Sequence, residues 1–230
     1  PLTVANNLIT FNKFDIWAVN KNPITIDGNI NAYDLKNISL DVAMNGSNVQ
    51  VVGTKPSQRT TIRGKLFMDL NASARGPLKH FTINANANVL PSTDVTYVVD
   101  MTAQQLDVTN ADDIVKFVNF NDTTAVAAAD SVPTTMAMRM IAALTITNGA
   151  EVTVGLGEGT DKVQITPYGT LNYFQNFMGD MRLNGQLNLG SGFARYTIPV
   201  MGQKQFEFQP DSYVAWNGNV MNPVLNIHAT

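Results

Sequence analysis

Apolar and polar side chains alternate along most of this chain. In "GKLFMDLNASA", Leu66, Met68 and Leu70 fall on one side of the pattern, whereas Lys65 and Asp69 fall on the other. Successive side chains of a strand point to opposite faces of a sheet, so this segment predicts a strand with one apolar face. The alternation recurs in "FTINANANV", "TYVVDMT", "MAMRMIAALTIT" and "DMRLNGQLNLGSG". The pattern therefore predicts an all-β protein.

Residue pairs that favour tight turns separate the alternating segments. Asn-Gly and Asp-Gly supply the positive φ angles of hairpin turns. A second interpretation places some of these pairs within strands, as bulges or kinks that curve a sheet. Because short connections favour antiparallel neighbours, we expect a mostly antiparallel sheet. The pairs are Asp27-Gly28, Asn45-Gly46, Gly76-Pro77, Asn148-Gly149, Asn184-Gly185 and Asn217-Gly218.

One segment departs from the two-residue period. In "TNADDIVKFVNF", Ile114, Phe117 and Val118 are spaced as on one side of a helix, and Asn110 is a suitable N-cap. The segment predicts one short helix over residues 111–119.

The helix and the residues after it divide the chain. Residues 121–135 show no core pattern and predict a mobile loop. We expect the chain to begin without its natural start and to end within a strand pattern, as a piece of a longer polypeptide. The expected organisation is a first β block over 1–108, a helix and loop over 109–135, and a second β block over 136–230.

Composition narrows the classes of function. Only 14% of the 230 residues are charged, well below the usual quarter, so Asn, Thr, Ser and Gln must build the polar surface. The net charge of −3 gives no electrostatic basis for binding nucleic acid, so we expect none. The sequence contains no cysteine, which excludes disulfides, thiolate metal sites and a Cys nucleophile.

Few residues are candidates for catalysis or for holding a metal ion. His80 and His228 are the only histidines, and they are not spaced as a metal-binding pair. Gly155, Gly157 and Gly159 form a glycine-rich segment, but a phosphate-binding loop needs a helix after it and another strand pattern follows here. We therefore interpret the segment as a hairpin loop, and we expect neither an enzyme nor a cofactor or metal.

The second β block carries a series of short motifs in a fixed order. They are "EVTV", "GTLNY", "GDMRLNGQLNLGSG", "FARY", "KQFEFQPDS", "VAWNGN" and "NPVLNIHA". Together they resemble the C-terminal domain of the TamB family, the translocation and assembly module proteins of the Gram-negative envelope. The resemblance covers residues 136–230 well and the first half more loosely.

The resemblance implies both a fold and a function. The fold is a β-taco, an elongated antiparallel sheet curved into a half-pipe with an apolar concave groove. The parent protein is anchored in the envelope membranes, spans the periplasm, and moves phospholipid between the inner and outer membranes or assists assembly of outer-membrane proteins. The family engages an outer-membrane barrel partner through a C-terminal segment, which we expect to be absent from this chain.

The apolar side of each predicted strand is the candidate lipid-binding surface. Met136, Met138 and Met140 share one side of a predicted strand. This side is either part of a packed core or an adaptable apolar surface. The sequence leaves open whether these strands line a trough or pack as a two-sheet sandwich. The groove residues we expect are Leu66, Met68, Leu70, Phe81, Ile83, Tyr97, Val99, Met138, Met140, Val152, Val154, Leu183, Leu187, Leu225 and Ile227.

Three functions compete at this point. The first is a lipid-transport module, because an apolar trough shields acyl chains without any catalytic residue. The second is a periplasmic scaffold or chaperone that offers sheet edges or a groove to unfolded outer-membrane proteins. The third is an adhesin or sugar-binding sandwich.

Overall fold

The computed structural model describes residues 1–54, 61–99, 137–156 and 159–230. The described residues contain strands and turns and no helix, and they form one large open curved sheet. The predicted helix over 111–119 and the predicted loop over 121–135 lie outside the described residues. The proposed division of the chain into three parts therefore stays a prediction.

Sixteen strands build the sheet in the part of the chain that the structure describes. The first seven are β1 (Leu2–Ala5), β2 (Leu8–Trp17), β3 (Pro23–Asn31), β4 (Ser39–Thr54), β5 (Ile62–Pro77), β6 (His80–Val89) and β7 (Asp94–Val99). The remaining nine are β8 (Ala137–Ile146), β9 (Glu151–Leu156), β10 (Lys162–Ile165), β11 (Tyr168–Gln175), β12 (Met181–Asn188), β13 (Gly192–Ile198), β14 (Gly202–Glu207), β15 (Tyr213–Gly218) and β16 (Val224–Asn226).

The long strand β5 is the branch point of the sheet. One of its edges pairs with β4, from which β3, β2 and β1 follow in order. Its other edge pairs with two strands in succession, β6 along residues 68–75 and β7 along residues 62–65. From β6 the first arm continues through β8, β11, β12, β15 and β16, and from β7 the second arm continues through β9, β10, β13 and β14.

The two arms are halves of the same broken strands. Strands β6 and β7 run consecutively along the chain, as do β8 and β9, β10 and β11, β12 and β13, and β14 and β15. The breaks fall at residues 90–93, 147–150, 166–167, 189–191 and 208–212, and they lie side by side in the sheet. On β4 the same line meets two irregularities between Gly46 and Val52. We call this line the crease.

Prolines and hydroxyl side chains explain how the crease interrupts the hydrogen-bond ladder. Pro91, Pro167 and Pro210 lie in three of the breaks, and proline has no N–H to donate to a neighbouring strand. The Thr93 hydroxyl accepts a hydrogen bond from the Phe67 N–H and donates one to the Phe67 carbonyl, both at 3.1 Å. It thereby takes the place of a backbone residue in the ladder.

A side-chain hydroxyl also takes the place of a backbone residue at two further breaks. The Ser212 hydroxyl donates to the His228 carbonyl and accepts from the His228 N–H, again at 3.1 Å. The Thr166 hydroxyl accepts from the Ser191 N–H at 3.0 Å and donates to the Ser191 carbonyl at 3.1 Å. The hydroxyls therefore satisfy three backbone N–H groups that the breaks would leave unpaired, whereas the corresponding carbonyls also accept a backbone N–H.

Burial is concentrated along the crease. Among the described residues, the most buried side chains lie at a break or within three residues of one. They are the apolar Val49, Val89, Ala150 and Leu189 and the polar Gln50, Thr93, Thr153 and Ser212. Away from this line most side chains are half-buried or exposed, as expected for one sheet with no second layer.

The sheet is mostly antiparallel, as the sequence predicts. Two pairs, β6 with β8 and β7 with β9, are parallel, and the other described pairs are antiparallel. Parallel neighbours require a long connection, and here residues 100–136 separate Val99 from Ala137. This one long connection therefore makes the two parallel pairs possible, and with them the continuation of both arms beyond β6 and β7.

The turn interpretation is wrong for five of the six residue pairs. Gly76-Pro77 and Asn217-Gly218 are the last two residues of β5 and β15, and the turns follow them. Asp27-Gly28, Asn45-Gly46 and Asn184-Gly185 lie inside strands β3, β4 and β12. Gly28 has φ +119° and Gly185 has φ +135°, and a Cβ on either would approach a neighbouring strand's carbonyl oxygen to about 2 Å. These glycines allow the strands to bend, which agrees with the second interpretation of the sequence.

Candidate functional site

The register of the strands shows which side chains share a face with Leu66, Met68 and Leu70 of β5. Met68 lies opposite Val49 on β4 and Val89 on β6. We call this side of the sheet the apolar face and the other side the polar face. Val49 is completely buried although the described sheet has one layer, so other side chains of the sheet enclose it at the crease.

In the first arm the structure places the predicted groove residues on the apolar face. Phe81 and Ile83 of β6 lie directly opposite Met138 and Met140 of β8. Leu183 and Leu187 of β12 lie opposite Tyr173 and Gly169 of β11, and these continue the same face. Leu225 of β16 lies opposite Val214 of β15, which in turn faces Leu187.

In the second arm the predicted residues also share this face. Tyr97 of β7 lies opposite Ile62 of β5 and Val154 of β9. Val152 pairs with Ile165 of β10, and Val99 pairs with Leu156 at the far end of β9. Ile227 lies one residue beyond β16 and is 46% exposed, so no strand register assigns it to a face.

The face extends well beyond the predicted residues. It includes Leu171 and Trp216 in the first arm and Val163 in the second, and it continues without interruption onto the first four strands. The two-residue period marks these segments too, as in "LITF" and "NPITIDGNI". The missed members there are Leu2, Val4, Ile9, Phe11, Phe14, Ile16, Ile24, Ile26, Ile30, Leu40, Val42 and Met44.

Large and small residues are mixed on the apolar face. One row runs from Gly46 through Leu70, Ala87, Leu144 and Leu171 to Gly185 and Trp216. The Trp216 indole therefore stands opposite a residue without a side chain, and its N–H donates to the Val220 carbonyl at 3.1 Å.

The apolar face is almost free of charge. Among the strands that the structure describes, Lys204 of β14 is its one charged side chain, and β14 is an edge strand. Exposure rises toward the ends of the sheet, where Val4 is 68% exposed and Leu225 61% exposed. The face is therefore a continuous apolar surface that is accessible to a ligand or a partner.

The polar face carries short amides in register. Asn45, Asn71 and Asn86 lie opposite one another on β4, β5 and β6. Asn172, Asn184 and Asn217 repeat the row on β11, β12 and β15. The Asn71 amide donates to the Asn45 side-chain oxygen at 2.5 Å. This uncharged hydrogen-bonding surface faces solvent and accounts for the low charge of the chain.

The histidines and the glycine-rich segment offer no catalytic arrangement. The His80 ring contacts Phe177 with a 5.9 Å centroid separation, and His228 Nδ1 lies 2.8 Å from the Asp211 carboxylate, with both side chains exposed. Gly155 lies within β9 and Gly159 lies in the β9–β10 connection, and a strand follows. Within the described ranges, no group of His, Cys, Asp or Glu side chains could hold a metal ion.

No helix among the described residues is long and apolar enough to cross a membrane.

The family model of the TamB C-terminal domain matches residues 13–230. No curated protein matches this chain. The same is true of the solved structures.

Proposed function

Because the chain belongs to the TamB family, an envelope assembly and transport module, we propose that its apolar face shields phospholipid acyl chains as they move between the inner and outer membranes. The observation that supports this proposal is the continuity of the face from β1 to β16 with no second layer over it in the described residues. A surface of this kind far exceeds the few hundred Å² of apolar patch that a monomer normally exposes.

The physical need for such a surface is large. Exposing a 16-carbon acyl chain to water costs about 0.8 kcal/mol per methylene, or about 12 kcal/mol per chain. Contact with an apolar trough removes most of this cost and needs no bond to be made or broken. We therefore propose a binding and transport role without catalysis, in the periplasm, for a chain whose parent is anchored in the envelope membranes.

The dimensions of the sheet suit this role. The path β1, β2, β3, β4, β5, β6, β8, β11, β12, β15, β16 stacks its strands side by side. At about 4.8 Å per strand it forms a trough of roughly 50 Å. This is longer than the roughly 30 Å hydrocarbon core of a whole bilayer. A phospholipid would therefore move along the face through many equivalent positions.

A second function, a scaffold for assembly of outer-membrane proteins, is favoured by the exposed edges. Strand β14 lies at one end of the sheet, and Phe206 on its apolar face is 41% exposed. An edge strand can pair with an extended segment of another chain, and an adjacent apolar surface can hold its side chains. In this proposal the apolar face would hold unfolded β segments instead of lipid.

The test places a charge within the face. A photo-crosslinking residue at position 183, on β12, reports lipid contact in cells. The charge is introduced by Leu70→Arg on β5 or by Met140→Arg on β8. We expect either arginine to abolish lipid crosslinking further along the face while the fold survives. Asn71→Arg is the matched control, because Asn71 follows Leu70 on β5 but lies on the polar face.

The outcome separates the two functions. Loss of lipid crosslinking with Leu70→Arg but not with Asn71→Arg supports the transport role. If folded Leu70→Arg and Met140→Arg proteins keep full lipid contact and full envelope function, the lipid proposal fails and the scaffold proposal replaces it. Extraction of the purified chain followed by mass spectrometry provides an independent check, because we expect phospholipid to co-purify.

A further inference from the structure

The polar face of the second arm contains a cavity of about 460 Å³ that the proposed lipid surface does not use. The cavity lies over β5, β7, β9, β10 and β13, on the opposite side of the sheet from Tyr97 and Val154. Its lining combines the cations Arg63, Lys162 and Arg195 with the hydroxyls of Thr96, Thr153 and Thr160. Because it lies on the other face, it is independent of the proposed function.

Two of the cations lie directly opposite each other. Lys162 of β10 pairs in register with Arg195 of β13. Both charges lie over the Phe193 ring, the Lys162 ammonium at 5.3 Å and the Arg195 guanidinium at 5.2 Å from its centroid. Like charges directly opposite on neighbouring strands destabilise a sheet. An anion between them would convert this repulsion into attraction.

Neutral groups satisfy part of the hydrogen-bonding capacity of these cations. The Lys162 ammonium donates to the Gln164 side-chain oxygen at 2.9 Å. The Arg195 guanidinium donates to the Gln205 side-chain oxygen at 2.8 Å and 3.3 Å. Neither cation forms a salt bridge with a described carboxylate. Each therefore retains N–H groups and a full positive charge at the cavity.

Thr153 provides a second, separate indication of a ligand. It lines the cavity and is only 8% exposed, yet its hydroxyl makes no hydrogen bond to the described residues. No side-chain oxygen or nitrogen in the described ranges is sealed from solvent without a partner, so the Thr153 hydroxyl must open onto the cavity. The Thr153 hydroxyl is therefore free to donate a hydrogen bond to water or to a ligand in the cavity.

One carboxylate, that of Asp161, also lines the cavity. It accepts a hydrogen bond from the Thr197 hydroxyl at 2.7 Å, which holds it on the side of the cavity where β10 begins. Its negative charge opposes that of an incoming anion. Lys162 and Arg195, which form no salt bridge with a described carboxylate, outnumber it.

We propose that this cavity binds a phosphate-type anion. Phosphate offers several oxygen acceptors to the cluster of N–H and O–H donors, and charge-assisted hydrogen bonds to ammonium and guanidinium groups are about twice as strong as neutral ones. The ligand is either a soluble phosphate ester or the phosphate of a lipid headgroup at a membrane surface. It is not the headgroup of a lipid on the apolar face, because the sheet separates the two.

The first experiment titrates the purified chain with inorganic phosphate at constant ionic strength, with chloride as the replaced anion. Amide chemical shifts of Thr153 and Gly155 report occupancy. We expect saturable shifts, and we expect Lys162→Gln or Arg195→Gln to weaken binding roughly tenfold, the value of one charge-assisted hydrogen bond. Thr153→Val, which removes only the hydroxyl, is expected to weaken binding several-fold.

Two further variants make the test specific. Arg139→Gln is the matched control, because Arg139 also lies over an aromatic ring on the polar face, that of Phe174 at 5.7 Å, but in the first arm and outside the cavity. It should leave phosphate binding unchanged. Asp161→Asn keeps a hydrogen-bond acceptor for Thr197 and removes the opposing charge, so it should strengthen binding several-fold.

A second experiment identifies the source of the phosphate. Vesicles of phosphatidylcholine with one fifth phosphatidylglycerol are compared with vesicles of phosphatidylcholine alone in a co-sedimentation assay. Binding to the anionic vesicles that Lys162→Gln abolishes and inorganic phosphate competes away supports a headgroup site. Binding of inorganic phosphate without vesicle binding supports a soluble ester.

Three results would overturn the proposal. The first is no saturable phosphate shift together with no preference for anionic vesicles. The second is an equal loss in Arg139→Gln and Arg195→Gln, which would indicate nonspecific attraction. The third is an unchanged affinity in both Lys162→Gln and Thr153→Val proteins that remain folded by circular dichroism. None of these results bears on lipid contact at the apolar face.

Discussion

The crease and the open part of the apolar face belong to the same sheet but bury their side chains to different extents. Val49 at the crease is fully buried, whereas Val4, on the same face at the edge strand β1, is 68% exposed. A one-layer sheet encloses a side chain only where it folds over itself. Stability is therefore concentrated along a narrow line, which leaves most of the apolar face free to bind a ligand.

The strongest test of this comparison is the same substitution in both places. Val49→Ala removes two methyl groups from an enclosed site, and we expect it to lower the free energy of unfolding by about 2–3 kcal/mol. Val4→Ala should change it by less than about 0.5 kcal/mol. Denaturant unfolding at one pH measures both. Equal effects would show that the crease is not where the fold is stabilised.

The hydroxyls at the strand breaks provide the next test. Thr93→Val keeps the shape of the side chain but leaves the Phe67 N–H without its partner, and the Phe67 carbonyl keeps only the Leu90 N–H. We expect a loss of about 1–2 kcal/mol in the free energy of unfolding. Thr25→Val is the control, because its hydroxyl bonds the exposed Asp15 carboxylate on the polar face. A loss in Thr25→Val as large as in Thr93→Val would contradict the role of the crease.

An open-face substitution should behave differently with and without a ligand. Leu171 is half-buried on the apolar face between Leu144 and Gly185. We expect Leu171→Ala to lower the stability of the lipid-free chain by about 1 kcal/mol, less than at the crease. In detergent micelles the difference from the unsubstituted chain should increase, because the side chain then contacts the ligand. A difference that shrinks in detergent would argue against a binding surface.

The smallest expected effect concerns acid stability. Hydrogen bonds from the Thr197 side chain and then from its backbone lower the pKa of Asp161. The pKa of Asp34 is lowered by the backbone N–H of Lys36 and then by the Asn37 amide. A carboxyl with a lowered folded-state pKa contributes stability above its unfolded-state pKa and loses it as the pH falls through the folded-state value.

The measurement for these carboxyls is a pH series of thermal melts. Both side chains are exposed, so we expect small decreases in melting temperature, confined to pH values below the ordinary carboxyl range. Asp161→Asn and Asp34→Asn should each flatten part of this decrease. A decrease centred near neutral pH would mean that other groups control the acid response.

Most of the sheet could be predicted from the sequence because the two-residue period is local. The side chains of β5 alternate as predicted, and the register joins them to β6 and β8 on one face. The period also marks the missed members such as Ile24 and Ile26. The lipid-binding role of the face, in contrast, stays a prediction, because shape and polarity do not name the ligand.

The crease could not be predicted from periodicity, because it is a line across many strands. Its members are far apart in sequence, and only the pairing of strands brings Thr93, Thr166 and Ser212 onto one line. A local signal does exist, since Pro91, Pro167 and Pro210 each lie within two residues of one of these hydroxyls. The cavity around Lys162 and Arg195 was missed for the same reason, since its cations lie on different strands.

The two parallel pairs have a consequence for how the chain reaches this structure. Hairpins within residues 1–99 and within residues 137–230 connect neighbours that are close in sequence, so each part can form early. The junction of β6 with β8 and of β7 with β9 must wait for closure of the connection through residues 100–136. We therefore expect a late docking step, in which the strands of residues 137–230 pair with β6 and β7, at a rate that depends on the length of that connection.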